Sequence, residues 1–232
     1  MRSMKLADTR VAALFLVSLA ILAFEIEIMR VFSVGSWSNF GSMVISIALL
    51  GFGLAGTLLA LLDRRLRAAP DAWTRASALA LAPAMAAAHV AAQHVPFNPV
   101  LIASDPSQLW WIGAYYLVYG VPFFCAGIFI GSMFTVFAGR AHTVYFWNMV
   151  GSGLGGVLVL GLMFFFPPSF LIYPLVGIAA LPALLCALQW DRPSARYRVR
   201  PGVAGACGVA LAAGIFLIAR FGALEVSDFK AE

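Results

Sequence analysis

Residues 145–162 read YFWNMVGSGLGGVLVLGL, and Gly151, Gly153 and Gly156 within them have the G-x-G-x-x-G spacing of a dinucleotide-binding turn. That turn requires a strand before it, a helix after it, and an acidic residue about 20 positions later for the ribose. No acidic residue follows until Asp191, and the glycines lie inside an unbroken apolar segment long enough to span a membrane. A pyrophosphate would have neither a route from water nor a charge partner there. Gly151 and Gly155 are four apart, as are Ser152 and Gly156, so they form two adjacent small-residue ridges along a helix. Such ridges let a second helix approach closely in lipid. The stretch therefore reads as a transmembrane helix packed through glycine.

The rest of the chain agrees. Of 232 residues, 62% are hydrophobic and 11% are charged, whereas a soluble domain carries about 25% charged residues. Too few polar side chains exist to clothe a soluble globule. Apolar runs of about 20 residues, enough to cross a hydrocarbon core roughly 30 Å thick, predict an all-α polytopic bundle. Its seven helices fall near 11–33, 40–62, 74–95, 109–138, 145–166, 169–189 and 202–221. The third, which is Ala-rich and contains Pro83, is the least hydrophobic. The first continues past Glu25 without a small-residue cleavage site and reads as a retained span. No soluble domain or internal repeat is visible in residues 1–222, and 223–232 form a short polar tail.

The net charge of +5 does not mark a nucleic-acid surface, because Lys and Arg fall in short clusters between apolar runs. With the N-terminus inside, the inner segments hold Arg2, Lys5, Arg10, Arg64, Arg65, Arg67, Arg75, Arg140, Arg192, Arg196, Arg198 and Arg200. Only Arg30, Arg220 and Lys230 fall outside, which is the positive-inside pattern. Seven crossings then place the C-terminus on the outer face. Trp110 and Trp111 follow a Pro-containing outer loop as interfacial anchors. Cys125, Cys186 and Cys207 lie in apolar runs without metal-ligand spacing and read as packing residues; no metal or cofactor is expected.

Polar groups within apolar helices are the candidate site. Glu25, Glu27 and Arg30 share the first span. A charge near a span centre costs on the order of 3 kcal/mol, so these carboxylates should face protein or a water-filled cavity. Glu27 and Arg30, three apart, can pair along the helix, while Glu25 lies about 200° from Glu27 and lacks a local partner. The two readings are a structural ion pair, or a cation or proton site. Asn148 opens the glycine-rich helix and can bond across helices or line a cavity. Residues 33–42, SVGSWSNFGS, read as a polar outer turn or a vestibule beside the carboxylates. His89 and His94 lack an acid or cysteine at ligand spacing and read as interfacial or capping residues. The helix-packing device recurs at Gly127 and Gly131, at Gly51 and Ala55, and through Gly205, Gly208 and Ala212.

Taken in order, FEIEIMRVFSVGSWSNFGSMVISIALLGFGLAG, VPFFCAGIFIG and VYFWNMVGSGLGG resemble the membrane-embedded N-terminal region of bacterial spermidine synthase-like proteins, over about residues 11–222. The matching positions are Glu25 and Arg30; Pro122, Phe123, Phe124, Ala126 and Gly127; and Tyr145, Asn148, Gly151 and Gly155. The resemblance implies a membrane domain joined to a soluble aminopropyltransferase-like domain that uses decarboxylated S-adenosylmethionine and a polyamine. ALEVSDFKAE looks like the lead into such a domain. These residues hold no acidic catalytic loop or adenosine-binding glycine loop, so no transferase activity is expected of them alone. The expected role is to anchor, and feed, a polyamine-related enzyme in the bacterial inner membrane. The alternatives are a non-catalytic accessory subunit of a larger membrane complex and, more weakly, a small-molecule transporter. The expected partners are the lipid bilayer, a soluble transferase-like domain or subunit, and a homo-oligomer or larger membrane complex.

Overall fold

The computed structural model describes residues 2–35, 41–98, 101–102, 104–168 and 170–189. The expected span at 202–221, Cys207, the Gly205–Gly208–Ala212 ridge, the tail and residues 36–40 of the outer turn lie outside the described residues. Seven α-helices follow in order among the described residues: α1 Arg2–Gly35, α2 Gly41–Leu61, α3 Asp63–Ala68, α4 Pro70–Gln93, α5 Gln108–Val136, α6 Ala141–Leu162 and α7 Ile172–Gln189. No strand occurs among the described residues, and the architecture is an all-α helical bundle.

Among the described residues, five helical segments are long and apolar enough to cross a membrane: Thr9–Ser33, Gly41–Leu61, Pro70–Gln93, Gln108–Val136 and Ala138–Leu162. The sixth expected span, 169–189, coincides with α7, Ile172–Gln189, whose residues Ile172–Cys186 form an apolar helix. Pro167 and Pro168 hold the chain in turns before it, since proline cannot donate to a helix interior. The short α3, rich in arginine, occupies the turn between α2 and α4.

The helices α1, α2, α5, α4 and α7 form a closed ring of neighbours, and α6 packs outside the ring on α1. Burial separates the two positions: 61% of the apolar window of α1 is buried against 22% of that of α6. Phe24, Phe123, Phe129, Ile28, Ile47 and Met85 fill the centre without exposure. Antiparallel turns bring the starts of α1, α4 and α6 and the ends of α2, α5 and α7 to one end of the bundle. That end carries Arg10, Arg64, Arg65, Arg67, Arg75 and Arg140, and is here called the basic end.

Several hydroxyl groups in these helices, with no water to bond in hydrocarbon, turn back on their own backbone. Ser33 donates to the Met29 carbonyl at 2.7 Å, Thr57 to Gly53 at 2.9 Å, and Ser77 to Trp73 at 2.7 Å. At the far end, the start of α5 is tied by Asp105. Its carboxylate accepts from the Ser107 backbone N–H at 2.9 Å, the Ser107 hydroxyl at 2.6 Å and the Gln108 amide at 3.1 Å. The Gln108 side-chain oxygen in turn accepts from the Asn98 N–H at 2.9 Å, which fastens the preceding loop.

Glycine sets the approach of the helices. A methyl group at Gly151 would lie 2.5 Å from the Phe15 carbonyl oxygen and 3.0 Å from Ser18 Cβ. One at Gly155 would overlap the Leu19 carbonyl. These contacts advance together along both chains, so α1 and α6 run parallel. Between α2 and α5, a methyl at Gly127 would sit 2.6 Å from Ala55 Cβ, and one at Gly51 2.6 Å from Phe123 Cβ. A methyl at Gly131 would meet the flexible end of Leu59. Gly153, by contrast, faces open space.

Two predictions follow from this packing. Gly151→Ala should lower stability by about 1–3 kcal/mol, the usual penalty of overpacking, because the obstacle is backbone. Gly153→Ala should be neutral to slightly stabilising; denaturant unfolding in detergent micelles reads both. The hydrogen bonds from Ser107 and Gln108 hold the Asp105 carboxyl below its ordinary value of 3.8. A group with a depressed folded pKa contributes stability above its unfolded pKa and loses it as pH falls through the folded one. The α5 start should therefore persist through mildly acidic pH and loosen only below the ordinary Asp range. In Ser107→Ala the Asp105 carboxyl should titrate closer to 3.8, as followed by carboxyl NMR.

Candidate functional site

Glu27 is 1% exposed and points into the ring, away from α6. Its carboxylate meets His89 of α4: His89 Nδ1 lies 3.6 Å from Glu27 Oε1, and His89 is 2% exposed. That separation is an electrostatic contact and too long for a hydrogen bond. Neither Glu27 oxygen has a hydrogen-bond partner among the described residues. The helices α1 and α4 are not themselves close neighbours in the ring, so the two side chains reach towards each other through the interior.

An aromatic cluster adjoins Glu27 through Tyr119. Tyr119 of α5 is 3% exposed and close enough to Glu27 to interact with it electrostatically. Its ring stacks on Tyr115 with centroids 6.1 Å apart and an angle of 14°, and meets Phe24 at 6.2 Å and Phe32 at 5.9 Å. Phe24 also packs on Phe123 at 6.1 Å. Phe24 precedes Glu27 by three residues and so shares its helix face. The buried acid that faces the imidazole thus also adjoins a cluster of tyrosine and phenylalanine rings through Tyr119.

Two sequence expectations are corrected here. Glu27 faces His89, and the proposed pairing with Arg30 is not made. Arg30 is exposed, near the end of the span, where its long side chain can reach polar surroundings while Glu27, 60° around the helix, turns inward. His89 is not interfacial, because the α4 face that carries Leu81, Met85 and His89 turns into the core. His94 does lie at the helix end, exposed, with Nδ1 2.9 Å from the Val90 carbonyl oxygen.

A second polar contact lies on the opposite side of α1. The Ser18 hydroxyl donates to Asn148 Oδ1 of α6 at 2.8 Å, and it also lies 2.9 Å from the Leu14 carbonyl oxygen. Asn148 stands one turn before Gly151, so the bond sits beside the glycine contact that brings the two backbones together. Seven residues beyond Ser18, Glu25 falls within about 20° of it around the helix. Glu25 is half-buried and belongs to this outer side of α1. The structure therefore does not gather Glu25, Glu27, Arg30 and Asn148 into one site. It pairs Asn148 with Ser18, pairs Glu27 with His89, and leaves Arg30 at the surface.

Sequence reasoning missed Ser18, His89 and Tyr119 as parts of these contacts. One signal existed for His89, a lone imidazole within an Ala-rich helix, where any buried ionisable group needs a partner. Among the described residues, no three His, Cys, Asp or Glu side chains converge as a metal site would require. The glycine stretch lies within one continuous helix preceded by a short 3-10 turn and α5, with no strand before it, so it has no dinucleotide-binding geometry. No family model, curated protein or solved structure matches the chain.

The Ser18–Asn148 bond is measurable. A double-mutant cycle with Ser18→Ala and Asn148→Ala should give a coupling of about 0.6 kcal/mol, the typical strength of an interhelical bond in a membrane bundle. Equilibrium unfolding in mixed micelles supplies the four stabilities.

Proposed function

We propose that this multi-pass helical bundle is the membrane domain of a polyamine-related enzyme of the spermidine synthase-like kind, which it anchors and to which it presents a cationic amine. The observation that carries the reading is Glu27, a fully buried carboxylate beside Tyr119, whose ring in turn meets Phe24. A carboxylate supplies charge to an ammonium group, and aromatic faces supply cation–π attraction. His89, 3.6 Å away, can take up or release the proton that keeps the site neutral when a cation enters or leaves. The ordered motifs at Glu25 and Arg30, Pro122–Gly127 and Tyr145–Gly155 add support through their resemblance to that family. On this reading the chain has seven crossings in a bacterial inner membrane, with its basic end and N-terminus cytoplasmic and its C-terminus outside.

A second reading rests on α6. It packs almost wholly on α1 and leaves Tyr145, Phe146, Leu154, Val157 and Leu160 outward, each more than 45% exposed. A helix held on one side is suited to meet another membrane subunit, and a partner retained stoichiometrically in mild detergent would favour an accessory-subunit role.

The first reading is tested by calorimetric titration of spermidine and putrescine into the full chain in nanodiscs. Saturable binding should be lost in Glu27→Gln and retained in Glu25→Gln. Absence of binding, or binding indifferent to Glu27→Gln, would remove the amine-site role.

A further inference from the structure

At the basic end, α1, the turn after α5 and the start of α6 enclose a groove of about 340 Å³. Val11, Phe15, Val144 and Trp147 form its apolar wall, and Arg140 and Thr143 supply its polar groups. The residues from α1 and α6 belong to the first turns of two parallel spans, and Phe137 closes the side at the end of α5. The groove consequently lies where a membrane-spanning bundle passes from hydrocarbon to headgroups. It is not part of the Glu27 site, which faces the interior of the ring on the other side of α1.

Charge decides what fits there. Two aspartates at this end are already engaged: Asp71 with Arg10 at 3.1 Å, and Asp63 with Arg67 at 2.8 Å. Arg140 is exposed and forms no ion pair among the described residues. A guanidinium presents a planar fork of donors matched to a phosphate, and the Thr143 hydroxyl is a further donor. Trp147 has the amphipathic ring that favours the interface. Its ring meets Phe15 edge-on with centroids 6.2 Å apart, which keeps the apolar wall continuous between α1 and α6.

We propose that this groove binds the headgroup and upper acyl chain of an anionic phospholipid, with Arg140 on the phosphate, Thr143 donating to it, and the chain lying along Phe15, Val144 and Trp147. The volume suits a headgroup and the first methylenes of a chain and is too small for a whole lipid. A free phosphate would satisfy Arg140 but leave the apolar wall uncovered. A zwitterionic lipid would cover the wall while bringing its own cation to Arg140. By seating on α1, α6 and the α5 end together, an anionic lipid would join α6, which otherwise packs almost wholly on α1, to the end of α5.

The test uses the full chain, delipidated in detergent. Thermal unfolding is followed with added phosphatidylglycerol, phosphatidylcholine or inorganic phosphate, and retained lipid is read by native mass spectrometry. Phosphatidylglycerol should raise Tm and remain bound, whereas phosphatidylcholine and phosphate should do neither. Arg140→Gln, on an exposed turn where folding is not at stake, should weaken phosphatidylglycerol binding by ~5-fold, the effect of one basic residue at a lipid surface. Arg65→Gln, also exposed at this end but outside the groove, should bind as the unaltered protein does. Equal stabilisation by phosphatidylcholine, stabilisation by phosphate alone, or equal losses in the two variants would overturn the proposal.

Discussion

The approach of α1 to α6 through Gly151 and Gly155 is possible only because neither position carries a side chain, and the placement of α6 depends on it. In hydrocarbon, helices gain little from hiding apolar surface, since lipid is as apolar as leucine; contact must come from close packing and from polar bonds. The α1–α6 seam uses both: glycine brings the backbones together, and Ser18 then reaches Asn148 at 2.8 Å. Removing the glycines would carry the hydroxyl away from the amide as well as opening the packing. The same constraint acts between α2 and α5, where Gly51 and Gly127 face Phe123 and Ala55. Close packing there orients Phe123 towards Phe24 and so helps form the aromatic wall near Glu27.

Polar groups inside the bundle divide according to how they are satisfied. Hydroxyls such as Ser77 and Thr74 bond within their own helix, so they stabilise no particular neighbour. Ser18 and Asn148 bond between helices and fix a partner. Glu27 does neither by hydrogen bonding: its nearest ionic group is His89, at 3.6 Å. Burying an ionisable acid in this way is costly unless its partner or its protonation compensates. A fold needing only stability would place a leucine at this position, so the presence of a buried acid facing an imidazole is the strongest argument for function.

Much of the bundle was legible in the sequence because lipid imposes strict rules on helix length and composition. Six of the expected spans coincide with helices, and the glycine spacing at Gly151 and Gly155 pointed to a helix contact and away from a cofactor turn. The candidate site was less legible. Helical periodicity places Glu27 and Arg30 within reach of each other, but it cannot say which direction faces the ring interior. His89 lies 62 positions from Glu27 in sequence, and nothing local joins them. Their contact depends on the order of helices around the ring, which lets α1 and α4 face across it with α7 and α5 alongside. The side of α4 that is buried was equally hidden, because an Ala-rich helix marks its two faces weakly.

The two carboxylates of α1 show why neighbouring residues in one helix need not share a role. Two residues turn the helix by about 200°, so Glu27 enters the ring and Glu25 falls on the outer side with Ser18. Only Glu27 is enclosed by protein on every side, beside both an imidazole and an aromatic wall. Glu25 is partly open, and its charge can be met by whatever lies against that side of α1. A cation drawn into the ring would encounter Glu27, whereas a helix or lipid resting beside α6 would encounter Glu25. The motif that reads as a single acidic pair therefore addresses two environments, and α1 is the wall between them.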